Sequence, residues 1–129
     1  MRKSILILLI FIFSFLILEA SQNMWVETKL NVIRNKIKEK PFREDPAMDD
    51  LLLKLQSLSP KNAKVWSVAS RYYFKKMTQT STIQERLFWI EKASHSSLKA
   101  LSCDPFDPTL RMFFNKVSRW KEVLAGTLS

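Results

Sequence analysis

The stretch VWSVASRYYFKKMTQTSTIQERLFWIEKASHSSLKALSCDP (residues 65–105) holds two helical periods separated by a polar corner, and its reading decides the fold. In the first half Val65, Trp66, Ala69, Tyr72, Tyr73 and Met77 fall on one wide face of a 3.6-residue period, with Lys64, Arg71, Lys75 and Lys76 flanking it. That pattern predicts a helix with a buried aromatic stripe. Thr78, Gln79, Thr80 and Ser81 make the corner, and Thr82 with Glu85 three residues later predicts a capping box opening a second helix to about Ser102. The seam of this helix reads Ile83, Leu87, Ile90, Ser94, Leu98 and Leu101, with Ala93, Ser97 and Ala100 small enough to admit a neighbouring helix closely. Asp104-Pro105 breaks it, and Cys103 beside that break reads as a small buried residue.

Working outward, the same signals recur on both sides. Upstream, Asp45 suits an N-cap, Pro46 the first helical position, and Asp49 and Asp50 the positive end of the dipole. The expected buried stripe there is Met48, Leu51, Leu52, Leu55 and Leu58, and Ser59-Pro60 ends it, with Ser59 or Asn62 capping the next helix. Further upstream, Val26, Leu30, Ile33 and Ile37 form a stripe among Lys29, Arg34, Lys36 and Lys38, closed by Pro41. Downstream, Asp107-Pro108 restarts the chain, Leu110, Phe113, Phe114, Val117, Trp120 and Leu124 make a stripe, and Gly126 stands where a left-handed cap is expected. One Gly and five Pro in 129 residues leave little material for the tight turns of β-hairpins. The fold class is therefore all-α: an N-terminal transmembrane or signal helix, then about five antiparallel amphipathic helices paired as hairpins. The expected division is an anchor or signal over residues 1–21, a juxtamembrane helix and linker over 22–45, and a helical domain over 46–129.

Leu58 to Ala63 and Leu101 to Pro108 each end one helix with a proline and open another a few residues later, the mark of a degenerate repeat. Here the chain resembles the tetratricopeptide repeat family. Trp66 followed by Ala69, Ser70 and Tyr73 is similar to the aromatic, small and tyrosine positions of a repeat's first helix. Ala93, Ala100, Leu101, Asp104 and Pro105 are similar to the end of its second. Trp66 and Ala93 are 27 residues apart, so relative to a 34-residue repeat about 11 extra residues lengthen the hairpin. The resemblance covers about residues 63 to 108. The helix from Met48 to Leu58 would be the second half of a preceding repeat, and the one from Pro108 would begin or cap the next. What the resemblance implies is a protein-binding scaffold, and it fixes no partner.

The N-terminus has a different composition. Arg2 and Lys3 precede an apolar run from Ile5 to Leu18 interrupted only by Ser14. Ser4 to Ala20 is 17 residues, roughly 25 Å of helix, the short end of what crosses a hydrocarbon core. Cleavage after Ala20 would put Leu18 where signal peptidase favours a small residue, and no Cys follows that could be lipidated, so an uncleaved anchor is expected, with a cleaved signal as the alternative. No Pro or Gly lies between Ser4 and Lys40, so the spanning helix can run on into water. Lys29, Arg34, Lys36, Lys38 and Lys40 compete with the two N-terminal charges and leave a cytoplasmic body as the alternative. Glu19 and Glu27, however, with no basic residue before Lys29, favour a cytoplasmic N-terminus and an exported body, hence a single-pass protein of a bacterial inner membrane. Arg2, Lys3 and Trp25 are the expected membrane-interface residues.

The search for chemistry finds little. The single His, His95, sits between serines on a helix, where adjacent side chains point about 100° apart and form no catalytic pair. Glu91 and His95 share a face, but two ligands make a weak metal site. Asp49 and Asp50 diverge in the same way, and Asp104 beside Cys103 raises rather than lowers a thiol pKa. Gly126 alone builds no phosphate loop. No catalytic, cofactor-binding or metal-binding residue is expected, and no cofactor.

Charge is the stronger lead. The net charge is +9, and since the first twenty residues hold only Arg2, Lys3 and Glu19, eight of those charges fall on the body. Such a body beside a membrane attracts anionic lipid or acidic polymer, whereas basic residues spread over several helices without a groove-reading motif argue against nucleic acid. Of Trp25, Trp66, Trp89 and Trp120 most are expected in the core, but Phe88 and Trp89 flank the seam and at least one should face outward. With Arg71 and Lys75 they are the expected partner-binding residues. The expectation is a non-enzymatic, membrane-tethered adaptor that holds a protein partner at the membrane. Its layout resembles accessory subunits of bacterial envelope assembly, including cell-surface polysaccharide biosynthesis and export. The alternatives are a secreted helical binding protein after signal cleavage, or a small subunit of a larger membrane complex.

Overall fold

A computed structural model describes residues 2–128, and its first helix, α1 (Arg2–Ile37), joins the anchor and the first body stripe in one unbroken element. Without Pro or Gly after the apolar run, nothing interrupts the hydrogen-bond ladder between the two. The outer part of α1 is exposed along its whole apolar length, from Ile5 to Leu18, whereas Val26, Leu30 and Ile33 are buried with the rest of the core. Among the described residues one helix, α1, is long and apolar enough to cross a membrane.

Four helices follow: α2 (Pro46–Leu58), α3 (Ala63–Gln79), α4 (Ile83–Cys103) and α5 (Pro108–Leu128), with no strand among the described residues. The fold is all-α. Their starts follow the local signals. The Asp45 side chain accepts from the Ala47 N–H at 3.0 Å, Asn62 from Lys64 at 3.0 Å, Thr82 from Glu85 at 3.3 Å, and Asp107 from Thr109 at 2.9 Å. Of the two residues able to cap α3, Asn62 does so.

Side-chain contacts fix the order of the layers. Lys64 reaches Glu27 at 3.9 Å, Phe42 meets Tyr72 edge to face, and Arg71 and Phe74 meet Phe113, so α1, α3 and α5 advance in the same direction side by side. Lys76 pairs with Asp49 and Lys121 with Glu91, so α2 and α4 run back against them. The helices thus alternate in direction along the chain, as short corners require. The main core is centred on α3, where Val65, Val68, Ala69, Tyr72, Tyr73 and Met77 meet Leu30, Ile33, Leu52, Leu55, Ile90 and Val117.

Several expectations change. Leu58 and Leu98 are exposed, and the buried face of α4 passes instead through Ile90, Ala93, Ser96, Ser97 and Ala100. Small side chains win there because they let α3 and α4 approach until the Ser70 hydroxyl donates to the Ala93 carbonyl at 2.9 Å. Trp120 is exposed, lying with its edge towards Phe74 at the rim. Cys103 is exposed, because the corner it occupies points away from the core. Gly126 is no left-handed cap: no glycine has a positive φ, and α5 continues through it to Leu128. Lys76, expected at the edge of the α3 stripe, is buried.

Candidate functional site

Lys76 is buried because its neighbours can hold its charge. Its side chain, 4% exposed, places Nζ at 2.7 and 2.8 Å from the two Asp49 carboxylate oxygens. The same ammonium lies 4.3 Å from the Trp89 ring centre and 5.2 Å from that of Tyr72. The Tyr72 hydroxyl beside it is buried and makes no hydrogen bond of standard geometry, although the Asp49 carboxylate approaches it. Burial first, and then the Asp49 charge, push the Tyr72 pKa above its ordinary value. Burial likewise raises Tyr73. This cluster ties α2, α3 and α4 together and is too enclosed to meet a ligand directly.

Two concave surfaces lie on either side of α3. The larger, a groove of about 600 Å³, is walled by α1, α3 and the start of α5. Ile37, Val68 and Leu110 give it an apolar floor, Arg34, Lys38, Lys64 and Arg71 supply positive charge, and Asp104 and Asp107 stand on the rim at the α4–α5 corner. Arg34 is held by Glu27 at 2.9 Å and Asn31 at 2.8 Å, and that hydrogen bond keeps the Glu27 carboxyl below its ordinary pKa. The Arg71 guanidinium lies 4.9 Å from the Phe113 ring centre, so the charged head itself rests on the α5 aromatic. Lys75 follows Arg71 by one helical turn and is half-buried.

The smaller surface, about 380 Å³, is a shelf between α2, α3 and α4 lined by Leu53, Gln56, Trp66, Tyr73, Phe88, Lys92 and His95, among others. Phe88 is 53% exposed. Trp89 is half-buried, its ring stacked on Tyr73 at 5.9 Å and meeting Phe88 edge-on at 5.0 Å. The four residues expected to bind a partner are therefore split: Arg71 belongs to the groove and Phe88 to the shelf, with the body of α3 between them.

What the sequence reading missed on the shelf is Lys92, whose ammonium lies 5.0 to 5.4 Å from the ring centres of Phe88, Tyr73 and Trp89. Its spacing from Phe88, one turn along the same helix, was the available signal. On the groove, Arg34 and Lys38 were missed because nothing local tells which face of α1 adjoins α5. Trp25 is half-buried against the core, with Lys29 and Lys54 within 5.8 and 5.2 Å of its ring centre. Arg2 and Lys3 are exposed in the first turn of α1.

His95 is exposed on the shelf, and Glu91, one turn away, is engaged by Lys121 at 3.0 Å. Among the described residues no group of three or more His, Cys, Asp or Glu is placed to hold a metal ion. No protein-family model, no curated protein and no solved structure matches this chain.

Proposed function

We propose that this chain is a non-enzymatic, membrane-tethered adaptor that holds a protein partner at the bilayer surface. The observation that carries the reading is α1, whose exposed apolar half suits a membrane and whose other half is an integral wall of the body. A body built onto its own anchor stays at the membrane without a separate linker, which raises its effective concentration for anything else confined there. The groove supplies the docking chemistry: an apolar floor with four basic side chains along its wall suits a segment that pairs apolar residues with acidic ones. The setting proposed for such a partner is the bacterial envelope, with the assembly or export of cell-surface polysaccharide as the process affected.

The test is fractionation of cells carrying a C-terminally tagged chain, followed by protease treatment of intact spheroplasts. The expected result is a full-length, membrane-bound band that protease removes. A soluble band about 20 residues shorter refutes the tether, and a protected full-length band refutes the exported body. In a deletion strain the polymer's yield or chain length should change, and unchanged polymer refutes the polysaccharide setting.

A further inference from the structure

The direction of the helices fixes which end of the body faces the bilayer. α1 enters the body at Trp25 and leads away from the apolar run, and α3 and α5 advance with it, so the α2–α3 and α4–α5 corners point back towards the membrane. Those corners are in contact, with Cys103 Sγ at 3.9 Å from the Pro60 carbonyl oxygen. The α3–α4 corner and the end of α5 point the other way.

Their height follows from helix geometry. Glu27 lies nine residues beyond Leu18, about 13 Å along the axis. Lys64 reaches Glu27, and Pro60 lies in the turn that precedes α3, on the membrane side of Lys64. Lys54 lies over Trp25, and Leu58 stands one turn beyond it along α2, nearer the membrane. Both routes put the corners on the membrane side of Glu27 and Trp25, beside the residues that follow the apolar run. A 17-residue span is shorter than the average hydrocarbon core, and the mismatch draws the body closer still.

The side chains at that end suit a bilayer surface. Phe106, at the tip of the α4–α5 corner, is 93% exposed, the most exposed large apolar residue described. Leu58 is exposed on the neighbouring corner, and Lys61, Lys64 and Lys99 are exposed around them. An exposed aromatic at an end that carries these lysines, as well as Asp104 and Asp107 beside the ring, costs solvation in water and gains it among headgroup phosphates and acyl carbonyls.

We propose that the α2–α3 and α4–α5 corners rest on the bilayer that α1 spans, with the Phe106 ring in the headgroup layer and Lys61 and Lys99, exposed at the same end, on anionic headgroups. The bilayer then holds the body by a second contact, and the body stands in a fixed orientation. The inference rests on α1 being a membrane span, and the experiment separates the two.

Cys103 is the only cysteine and is exposed at this corner, so the full-length chain can be labelled there with a nitroxide without any substitution. A second sample carries the label at the far end, at Ser81→Cys in a Cys103→Ser background. Both are reconstituted in vesicles of phosphatidylcholine with one third phosphatidylglycerol, floated on a density gradient, and read by power saturation with oxygen and with a water-soluble nickel chelate. The expected result is flotation of both, with chelate access at Cys103 several-fold below that at position 81 and oxygen access above it. Phe106→Asp should raise chelate access at Cys103 towards the distal value while flotation is retained. Flotation with equal chelate access at both positions overturns the corner contact and leaves the span intact. Failure to float overturns the span and the corner contact with it.

Discussion

Replacing Asp49 by Asn tests the buried charge cluster at its most sensitive point. The Lys76 side chain is 4% exposed and that of Asp49 36%, so the two partners differ in what water can do for them once the other is gone. In Asp49→Asn the ammonium keeps its aromatic neighbours and one neutral acceptor but loses its counter-charge in a site that solvent barely reaches. Removing one partner of a buried pair costs about 3–5 kcal/mol, and the half-open carboxylate and the retained acceptor reduce that to about 2 kcal/mol here. In Lys76→Met the volume is roughly kept and Asp49 turns to water, so the loss is about 1 kcal/mol or less. The double variant should resemble Lys76→Met alone, giving a coupling equal to the Asp49→Asn loss, about 2 kcal/mol. The assay is urea unfolding of the detergent-solubilised full chain, followed by the fluorescence of its four tryptophans, of which Trp89 lies 4.3 Å from the ammonium, and by near-ultraviolet dichroism. Equal losses in the two single variants, or a coupling near zero, would refute the claim that burial of the ammonium governs the site.

Tyr72 and Tyr73 are the only tyrosines, and both resist ionisation, so absorbance at 295 nm should stay flat as pH passes 10 and rise only when the chain unfolds. Because the folded-state pKa values lie above the unfolded ones, their contribution to stability is complete below pH 10 and lost as pH climbs beyond it; tyrosinate appearing near pH 10 in a folded chain would refute this. Tyr72→Phe removes a buried hydroxyl whose approach to Asp49 falls short of a standard hydrogen bond and should change stability by less than about 1 kcal/mol, read from the urea midpoint, whereas a loss above about 2 kcal/mol would show that the hydroxyl holds Asp49. Ala93→Leu should cost about 1–3 kcal/mol by forcing α3 and α4 apart, whereas Leu98→Ala should cost less than about 0.5 kcal/mol; the reverse order in thermal unfolding would overturn the assigned seam. Gly126→Ala, in right-handed helix with open space where the methyl group would stand, should stabilise by a few tenths up to about 1 kcal/mol, and a loss would restore the left-handed cap.

What the sequence made legible was local. Asp45-Pro46, Thr82 with Glu85, and Asp107-Pro108 announced helix starts because a cap needs only its own next few residues. The aromatic stripe of α3 was legible because the central helix meets neighbours on several sides, which makes a wide apolar face unambiguous. The face of α4 was not, because hydrophobic periodicity weights Leu98 above Ser97, while the packing is decided by how closely two backbones can approach. Lys76 was misjudged for a related reason. Its burial depends on Asp49, 27 residues earlier on another helix, and on the Trp89 ring, and no spacing rule links the three. The partner-binding set was divided by the same distance blindness: Arg71 and Phe88 are both prominent in the sequence, yet they stand on surfaces separated by α3.

The unbroken α1 also makes the molecule a rigid mast. With no hinge between the apolar run and Trp25, the direction in which the groove opens is set by the rotational phase of a single helix. One residue inserted between Leu18 and Trp25 would turn the whole body by about 100° and raise it by about 1.5 Å, leaving both folded parts untouched. The six side chains from Glu19 to Met24 are exposed, yet their number aims the groove, a constraint on length that places almost none on identity.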